Sequence, residues 1–294
     1  MSDESFSADW LALREPADRC ARDAGLLALL AASLPPAPLL QVVDLGTGSA
    51  ANLRALAPLL AVRQHWWLLD HDPHLLAALQ GRLRSWAEAA GWQWDAHGQT
   101  LIGAGREVAL QCRHIDLATG LADLPIGSST STSTLVTASA LLDLVSAEWI
   151  AQLVRRCCVV RATLYFSMSY DGRISCDPPL PDDDLLRDLV NRHQQGEKSF
   201  GAALGPAAVP ALRGLLAQQP YDIHVARSDW LLGADAALLQ RELVAGWTDA
   251  AVSVAPAATA RLNAWRAARF TQISARALRL QVGHLDLLAT PRAG

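Results

Sequence analysis

The chain has 294 residues, 51% of them hydrophobic and 18% charged, and Lys+Arg 25 against Asp+Glu 29 leaves a net charge of −4. That apolar content can bury a sizeable core, which argues against disorder, and the acidic balance lacks the electrostatic footprint of a nucleic-acid binder. The longest apolar run, Ala24 to Leu34, is about half of the ~18–20 residues that span a bilayer. The start Met1-Ser-Asp-Glu-Ser is polar and does not read as a signal peptide. A cytoplasmic protein with neither nucleic acid nor membrane as partner is expected. The five cysteines include no C-x-x-C and no Cys/His quartet at zinc spacing. They read as small hydrophobes in a reducing compartment, and no metal site is expected. Every basic residue except Lys198 is arginine, which makes that lysine conspicuous.

In chain order, Trp10 to Leu34 reads as a helix ended by Pro35-Pro36-Ala-Pro38, because proline removes a donor and clashes with the preceding turn. Leu39 to Asp44 is a short apolar run that leads into Gly46-Thr47-Gly48; Ala50 to Leu60 is periodic, and His65 to Asp70 is a second run ending on an acid. A long helix is expected from Asp72-Pro73 to Ala90, with Asp72 as N-cap and Pro73 at the first helical position. Residues 91–107 read as a loop or small hairpin, and Val108 to Asp116 alternates as a strand. The Ser/Thr cluster Ser128 to Thr134 runs into a fourth strand at Leu135-Val136-Thr137. Ala147 to Val159 is helical, Ala162 to Met168 is a fifth strand, and Tyr221 to Ala226 and Leu278 to Ala289 are late strands. Apolar strands alternating with helices predict a mostly parallel sheet covered on both faces, in one α/β domain.

Gly46 and Gly48 stand between an apolar strand and a helix start, where glycine allows a sharp turn and close approach of backbone to a ligand. Asp44 precedes the first glycine, and a carboxylate there suits a cationic ligand better than a pyrophosphate. Asp70, at the end of the second strand, occupies the position of an acid that accepts ribose hydroxyls.

With these residues the sequence resembles the class I S-adenosylmethionine-dependent methyltransferases. Val42-Val-Asp-Leu-Gly-Thr-Gly-Ser49 resembles the glycine motif, and Leu69-Asp-His-Asp-Pro-His-Leu-Leu76 the segment of the ribose acid. His114-Ile-Asp-Leu117 resembles the third-strand segment, and Leu135-Val-Thr-Ala-Ser-Ala-Leu-Leu-Asp143 the fourth-strand motif that lines the transfer centre. The resemblance implies a Rossmann-like, mostly parallel seven-stranded sheet with an N-terminal helix and a helical insertion or lid after the fifth strand. It divides residues 1–294 into a helical cap (1–38), a cofactor-binding core (39–170) and an acceptor-side part (171–294). It also implies S-adenosyl-L-methionine as cofactor. Asp44, Gly46 and Gly48 would approach its methionine part, Asp70 its ribose and Asp116 its adenine, with Ser139 in the transfer motif. Two departures are visible: the third glycine is Ala50, and the acid often found on the fourth strand is Thr134. The segments Trp10 to Arg22 and His193 to Pro206 look like those of a bacterial methyltransferase subgroup of undefined substrate.

The remaining candidates each have a plain alternative. Arg14, Asp18 and Arg22 share a helix face, as a solvated ion-pair stripe or with Arg14 or Arg22 reaching a cofactor carboxylate. His193 and Lys198 lie among glycines, in a surface loop or in a lid over the acceptor. Trp230 and Trp247 are packing residues or an aromatic wall for the acceptor. His284 and Asp286 share a strand face for buried hydrogen bonding or for catalysis. Tyr170, His193 and His284 are the candidate general bases, needed only if the acceptor carries a proton. The expected activity is methyl transfer to an O or N atom of a small molecule. A cofactor-binding scaffold without catalysis and a nicotinamide-dependent oxidoreductase are the alternatives, and oligomeric state is not readable.

Overall fold

The computed structural model describes residues 7–34, 37–95, 97, 99–127 and 132–292. The N-terminal segment Met1 to Ser5, the pair Pro35-Pro36 and the first part of the Ser/Thr cluster, Ser128 to Ser131, lie outside the described residues.

The long first helix is two helices, α1 (Ala8–Ala21) and α2 (Ala24–Ser33). The break comes from Asp23, which leaves the helical region and caps α2 by accepting from the Leu26 N–H at 2.6 Å. The elements β1 (Leu39–Leu45), α3 (Ala51–Leu56), β2 (Arg63–Asp70) and α4 (Pro73–Ala90) follow. Asp72 caps α4 as its sequence demands, with Oδ1 2.8 Å from the His74 N–H. Next come β3 (Gln93–Asp95), β4 (Thr100–Gly103), β5 (Arg106–His114), β6 (Thr132–Ser139), α5 (Ala147–Val159) and β7 (Thr163–Asp177). The second half of the chain adds α6 (Asp183–Gln194), a hairpin of β8 (Glu197–Lys198) and β9 (Gly201–Ala202), and α7 (Ala208–Leu216). It closes with β10 (Tyr221–Arg227), β11 (Trp230–Leu232), α8 (Ala237–Val254), α9 (Thr259–Ser274) and β12 (Arg279–Pro291).

Among the described residues ten strands form one sheet, in the order β10-β12-β7-β6-β1-β2-β5-β4-β3, with β11 beside β12. The expected seven are its body, and β3, β4 and β11 enlarge it. The region 91–107 is indeed hairpin, because β4 pairs antiparallel with both β3 and β5. From β7 to β5 the pairs are parallel, while β12 runs antiparallel to both β7 and β10. Three apolar clusters fill the structure. One face of the sheet packs on α5 and α7, the other on α2, α3 and α4. The third lies where α6, α8 and α9 pack on the extended ends of β7 and β12. The fifth strand is therefore much longer than its apolar run, because its polar far half gains an antiparallel partner in β12 and a helical cover.

Strand β1 pairs with β2 on one side and β6 on the other, so the chain leaves the sheet in opposite directions at neighbouring carboxyl ends. Such a switch point opens a crevice. Among the described residues no helix is long and apolar enough to cross a membrane.

Candidate active site

A cavity of about 290 Å³ lies at that switch point. Its floor is the turn Gly46-Thr47-Gly48 after β1. Gly46 and Gly48 have φ of 64° and 52°, and a Cβ on Gly48 would stand 3.2 Å from Leu11 of α1, so the turn needs glycine for conformation and for the close approach of the helix. Ala50 also adopts a left-handed conformation, φ 59°, at a fully buried site. The position keeps the geometry of the missing third glycine at the expense of strain on a Cβ.

The carboxylates around the turn have distinct jobs. Asp70 lines the cavity at the end of β2; its Oδ2 accepts from the Gly48 N–H at 2.7 Å and its Oδ1 from the Asp72 N–H at 3.0 Å. Asp116, just past β5, also lines it, and is held by the Ala118 N–H at 2.9 Å and the Thr119 hydroxyl at 3.2 Å. Asp44 is different: it is 1% exposed and is not among the cavity-lining groups. Its oxygens accept from Thr47 Oγ1 at 2.7 Å and Asn52 Nδ2 at 2.8 Å. It braces the turn through these two bonds. Burial pushes its carboxyl up to about 6, against the pull of those two hydrogen bonds and of Arg22.

The other wall comes from the end of β6 and from α1. Ser139 lines the cavity and accepts from Arg22 Nη2 at 3.4 Å, while Arg22 Nη1 is buried with no partner. Arg14 lines the cavity as well, clamped by Asp18 at 3.0 and 3.1 Å and stacked 5.1 Å from the Trp230 ring. The ion-pair stripe on α1 therefore exists and faces inward. Thr134 does not take part. It lies near the start of β6, where its hydroxyl donates to Gly127 O at 3.2 Å, so the residue at the strand's carboxyl end is Ser139.

The predicted acceptor and base residues do not gather here. Lys198 sits on the β8–β9 hairpin, whose tip Ser199-Phe200 does line the cavity; Phe200 packs edge-on against Trp149 at 5.6 Å. Of this segment Ser199 and Phe200 reach the cavity, and Lys198 is not among the lining residues. His193, in the last turn of α6, is not among the lining residues. Trp247 packs within the helical cluster on α8, because its face of that helix turns to the third core. Trp230, 4% exposed, supports α1 by donating from Nε1 to Asp18 Oδ1 at 3.0 Å. Tyr170 donates to Asn191 Oδ1 at 2.7 Å, and burial raises its hydroxyl further above the ordinary tyrosine range. His284 is buried between Trp230 and Tyr170; burial and the charge of Arg14 push its imidazole down to about 3, so it stays neutral and weakly basic. Asp286 is fully buried and accepts from Tyr165 Oη, Met168 N and Ser228 Oγ at 3.1, 2.9 and 2.6 Å, a structural hub.

Residues that the sequence did not single out include Asn52 and Phe200 in the cavity wall, and Asp143 in the turn after β6. Asn52, one helical turn past the glycines, was the most findable. Among the described residues no group of three or more His, Cys, Asp or Glu is arranged to hold a metal ion.

No protein family and no curated protein matches the chain. Solved structures do. A cyclopropane-fatty-acyl-phospholipid synthase-like protein from Lactobacillus casei aligns over 97% of this chain and 94% of its own, at 11% identity and a TM-score of 0.53. A SAM-dependent methyltransferase from Geobacter sulfurreducens, in complex with S-adenosyl-L-homocysteine, aligns over 97% of this chain and 99% of its own, at 16% identity and a TM-score of 0.43. The first likeness, with the strand order above, places the chain in the Rossmann-like methyltransferase fold.

Proposed function

We propose that this protein is an S-adenosyl-L-methionine-dependent methyltransferase that acts on an O or N atom of a small molecule. One observation carries the reading: Asp70 lines a cavity at a strand's carboxyl end, fixed by the N–H of a glycine turn. This is the arrangement that receives a ribose at a switch point. The residues present fit the cofactor. Asp70 would accept the two ribose hydroxyls, and Asp116, between the apolar Leu75 and Leu117, would accept from an adenine amino group. Arg14, which lines the cavity, would meet a carboxylate of the cofactor. When bound, the cofactor supplies an electrophilic methyl group.

The chain's own contribution is then largely orientation. Aligning the acceptor's lone pair with the methyl group is worth roughly 7–11 kcal/mol at best. Leu11 from α1 and Phe200 from the hairpin give the cavity apolar walls. Glu15 on α1 fixes the covering helix to Arg54 of α3 at 2.5 and 2.9 Å, so the cap is anchored to the glycine turn's own helix.

The deciding experiment is parallel calorimetric titration of the protein, freed of any carried cofactor, with S-adenosylmethionine, S-adenosylhomocysteine and NADH. Micromolar binding of the two adenosyl-sulfur ligands without NADH is expected. NADH binding alone, or silence from all three, overturns the reading.

A further inference from the structure

Helix α1 runs along the cavity from the glycine turn to the end of β6. Near its start Leu11 lies against Gly48, and just past its end Arg22 donates to Ser139 Oγ at 3.4 Å. Arg14 and Asp18 stand between those points, one turn apart, and both line the cavity. Asp70 and Asp116 lie on the other side of the glycine turn, at the ends of β2 and β5. A nucleoside held by those two acids therefore sends its 5′ extension over the turn and towards the α1 pair. Arg14 and Asp18 are fixed to each other, Nε and Nη2 of the arginine donating to the two Asp18 oxygens at 3.0 and 3.1 Å. Trp230 fixes both, with its ring 5.1 Å from the guanidinium and its Nε1 donating to Asp18 Oδ1 at 3.0 Å. The pair keeps capacity for more. Asp18 takes two of the five guanidinium N–H groups, and its Oδ2 accepts one bond where a carboxylate oxygen can take two. The two side chains are 12% and 11% exposed, so each charge has given up part of its hydration. Attachment of α1 does not call for that cost, since Leu13, Ala17 and Ala21 already pack a neighbouring face of the helix on the third cluster.

We propose that Arg14 and Asp18 together receive a zwitterionic α-amino acid group, Arg14 taking its carboxylate and Asp18 its ammonium. The proposal rests on the methyltransferase reading above and deepens it, because the far end of the ligand is then recognised by two opposite charges and not by Arg14 alone. The charges of the pair sum to zero, as do those of an α-amino acid. A lone carboxylate or phosphate beside Arg14 meets repulsion from Asp18, and a lone amine beside Asp18 meets it from Arg14. A group that carries both signs satisfies the pair without leaving either charge opposed. The pair therefore selects a nucleoside with an amino acid end over one without it, and over a nucleoside diphosphate. Trp230 holds the two side chains in place before the ligand arrives, which lowers the ordering cost of binding.

The test titrates wild type, Asp18→Asn and Arg14→Met with S-adenosylhomocysteine, its decarboxylated and deaminated analogues, and 5′-methylthioadenosine, which lacks the amino acid end. Asparagine keeps an oxygen for Trp230, and methionine keeps an apolar stem over its ring. Wild type should bind S-adenosylhomocysteine about thirtyfold or more tighter than 5′-methylthioadenosine, and about tenfold or more tighter than either one-charge analogue. Asp18→Asn should lose about tenfold for S-adenosylhomocysteine, and the carboxylate-only analogue should then bind as well as the full ligand. Arg14→Met should show the mirror image, with the ammonium-only analogue as good as the full ligand. Both variants should hold 5′-methylthioadenosine within about threefold of wild type. Equal wild-type affinity for S-adenosylhomocysteine and 5′-methylthioadenosine would overturn the proposal. So would variants that weaken all four probes alike, since the pair would then only support α1. The wild-type series decides by itself if a variant does not fold. Failure of wild type to bind either S-adenosylhomocysteine or 5′-methylthioadenosine would instead sink the methyltransferase reading, and the proposal with it.

Discussion

The glycine-turn side of the cavity and the packed region behind α1 are held together in different ways. On the glycine-turn side each carboxylate finds its partners nearby along the chain or across the turn: Asp44 with Thr47 and Asn52, Asp70 with Gly48 and Asp72, Asp116 with Ala118 and Thr119. Behind α1 partners also come from far along the chain. Asp18 meets Trp230, Asp286 meets Tyr165 and Met168, and Asp229 meets Arg173; of these three acids only Asp18 lines the cavity. Asp70 and Asp116 have both oxygens engaged, but buried atoms without partners occur in both regions: Asn52 Oδ1 beside the glycine turn, and Asp143 Oδ1 and His284 Nδ1 away from it. Local partners hold the turn with little rearrangement, whereas distant partners hold the other region only once the fold is assembled.

The comparison is broken most severely at Asp286. Asp286→Ala leaves three buried donors without an acceptor, two of them on β7, a loss of about 3–5 kcal/mol in denaturant unfolding. A loss under about 1 kcal/mol would mean that the packed region does not depend on this hub. The glycine-turn side is tested at Asp70. Asp70→Ala removes a charged acceptor for two ligand hydroxyls and should lower S-adenosylhomocysteine affinity about a hundredfold or more by calorimetry. Unchanged affinity would withdraw the ribose assignment.

A pH-dependent effect, modest per pH unit, separates the two regions. The imidazole of His284, ordinarily near 6.5, is pushed down to about 3 in the folded protein, so the unfolded chain binds the proton first as pH falls. Its contribution to stability is therefore present above the unfolded value and is lost on acidification through the window from about 6 to 3. Stability of His284→Gln relative to wild type should rise by about 1.4 kcal/mol for each pH unit lowered across that window. Asp44 and Asp143, both raised to about 6, act oppositely in wild type and variant alike, and so cancel from the difference. A flat difference would show that the ring is not buried neutral. The smallest effect belongs to the glycine turn: Ala50→Gly should relieve the left-handed alanine and stabilise the protein by up to about 1 kcal/mol. Thermal melting would read the gain, and a loss would show that the Cβ packing outweighs the strain.

Much of the fold was legible because its signals are local. The Asp72 cap, the α5 boundaries and the carboxyl-end acids depend on residues a few positions apart. Asp23 carries a signal of the same kind, and its cap divides the single expected helix into two. The length of β7 was not legible, since its polar far half is a strand only by pairing with β12. The same holds for the tryptophans. Nothing in the residues next to Trp230 and Trp247 separates their roles, and only the docking of α1 on β11 makes Trp230 the support of Arg14 while Trp247 stays in a helical core.

The sequence by itself determined the alternation of strands and helices, the glycine turn and the acids at strand ends, because turns and caps are settled over a few residues of backbone geometry. Tertiary structure alone decided that Asp44 lies beneath the turn, that His284 is a buried neutral ring, and that Asp143 is buried with one oxygen lacking a partner. Those outcomes depend on desolvation and on charges carried by distant segments, Arg14 above all, which the order of residues along the chain does not encode locally.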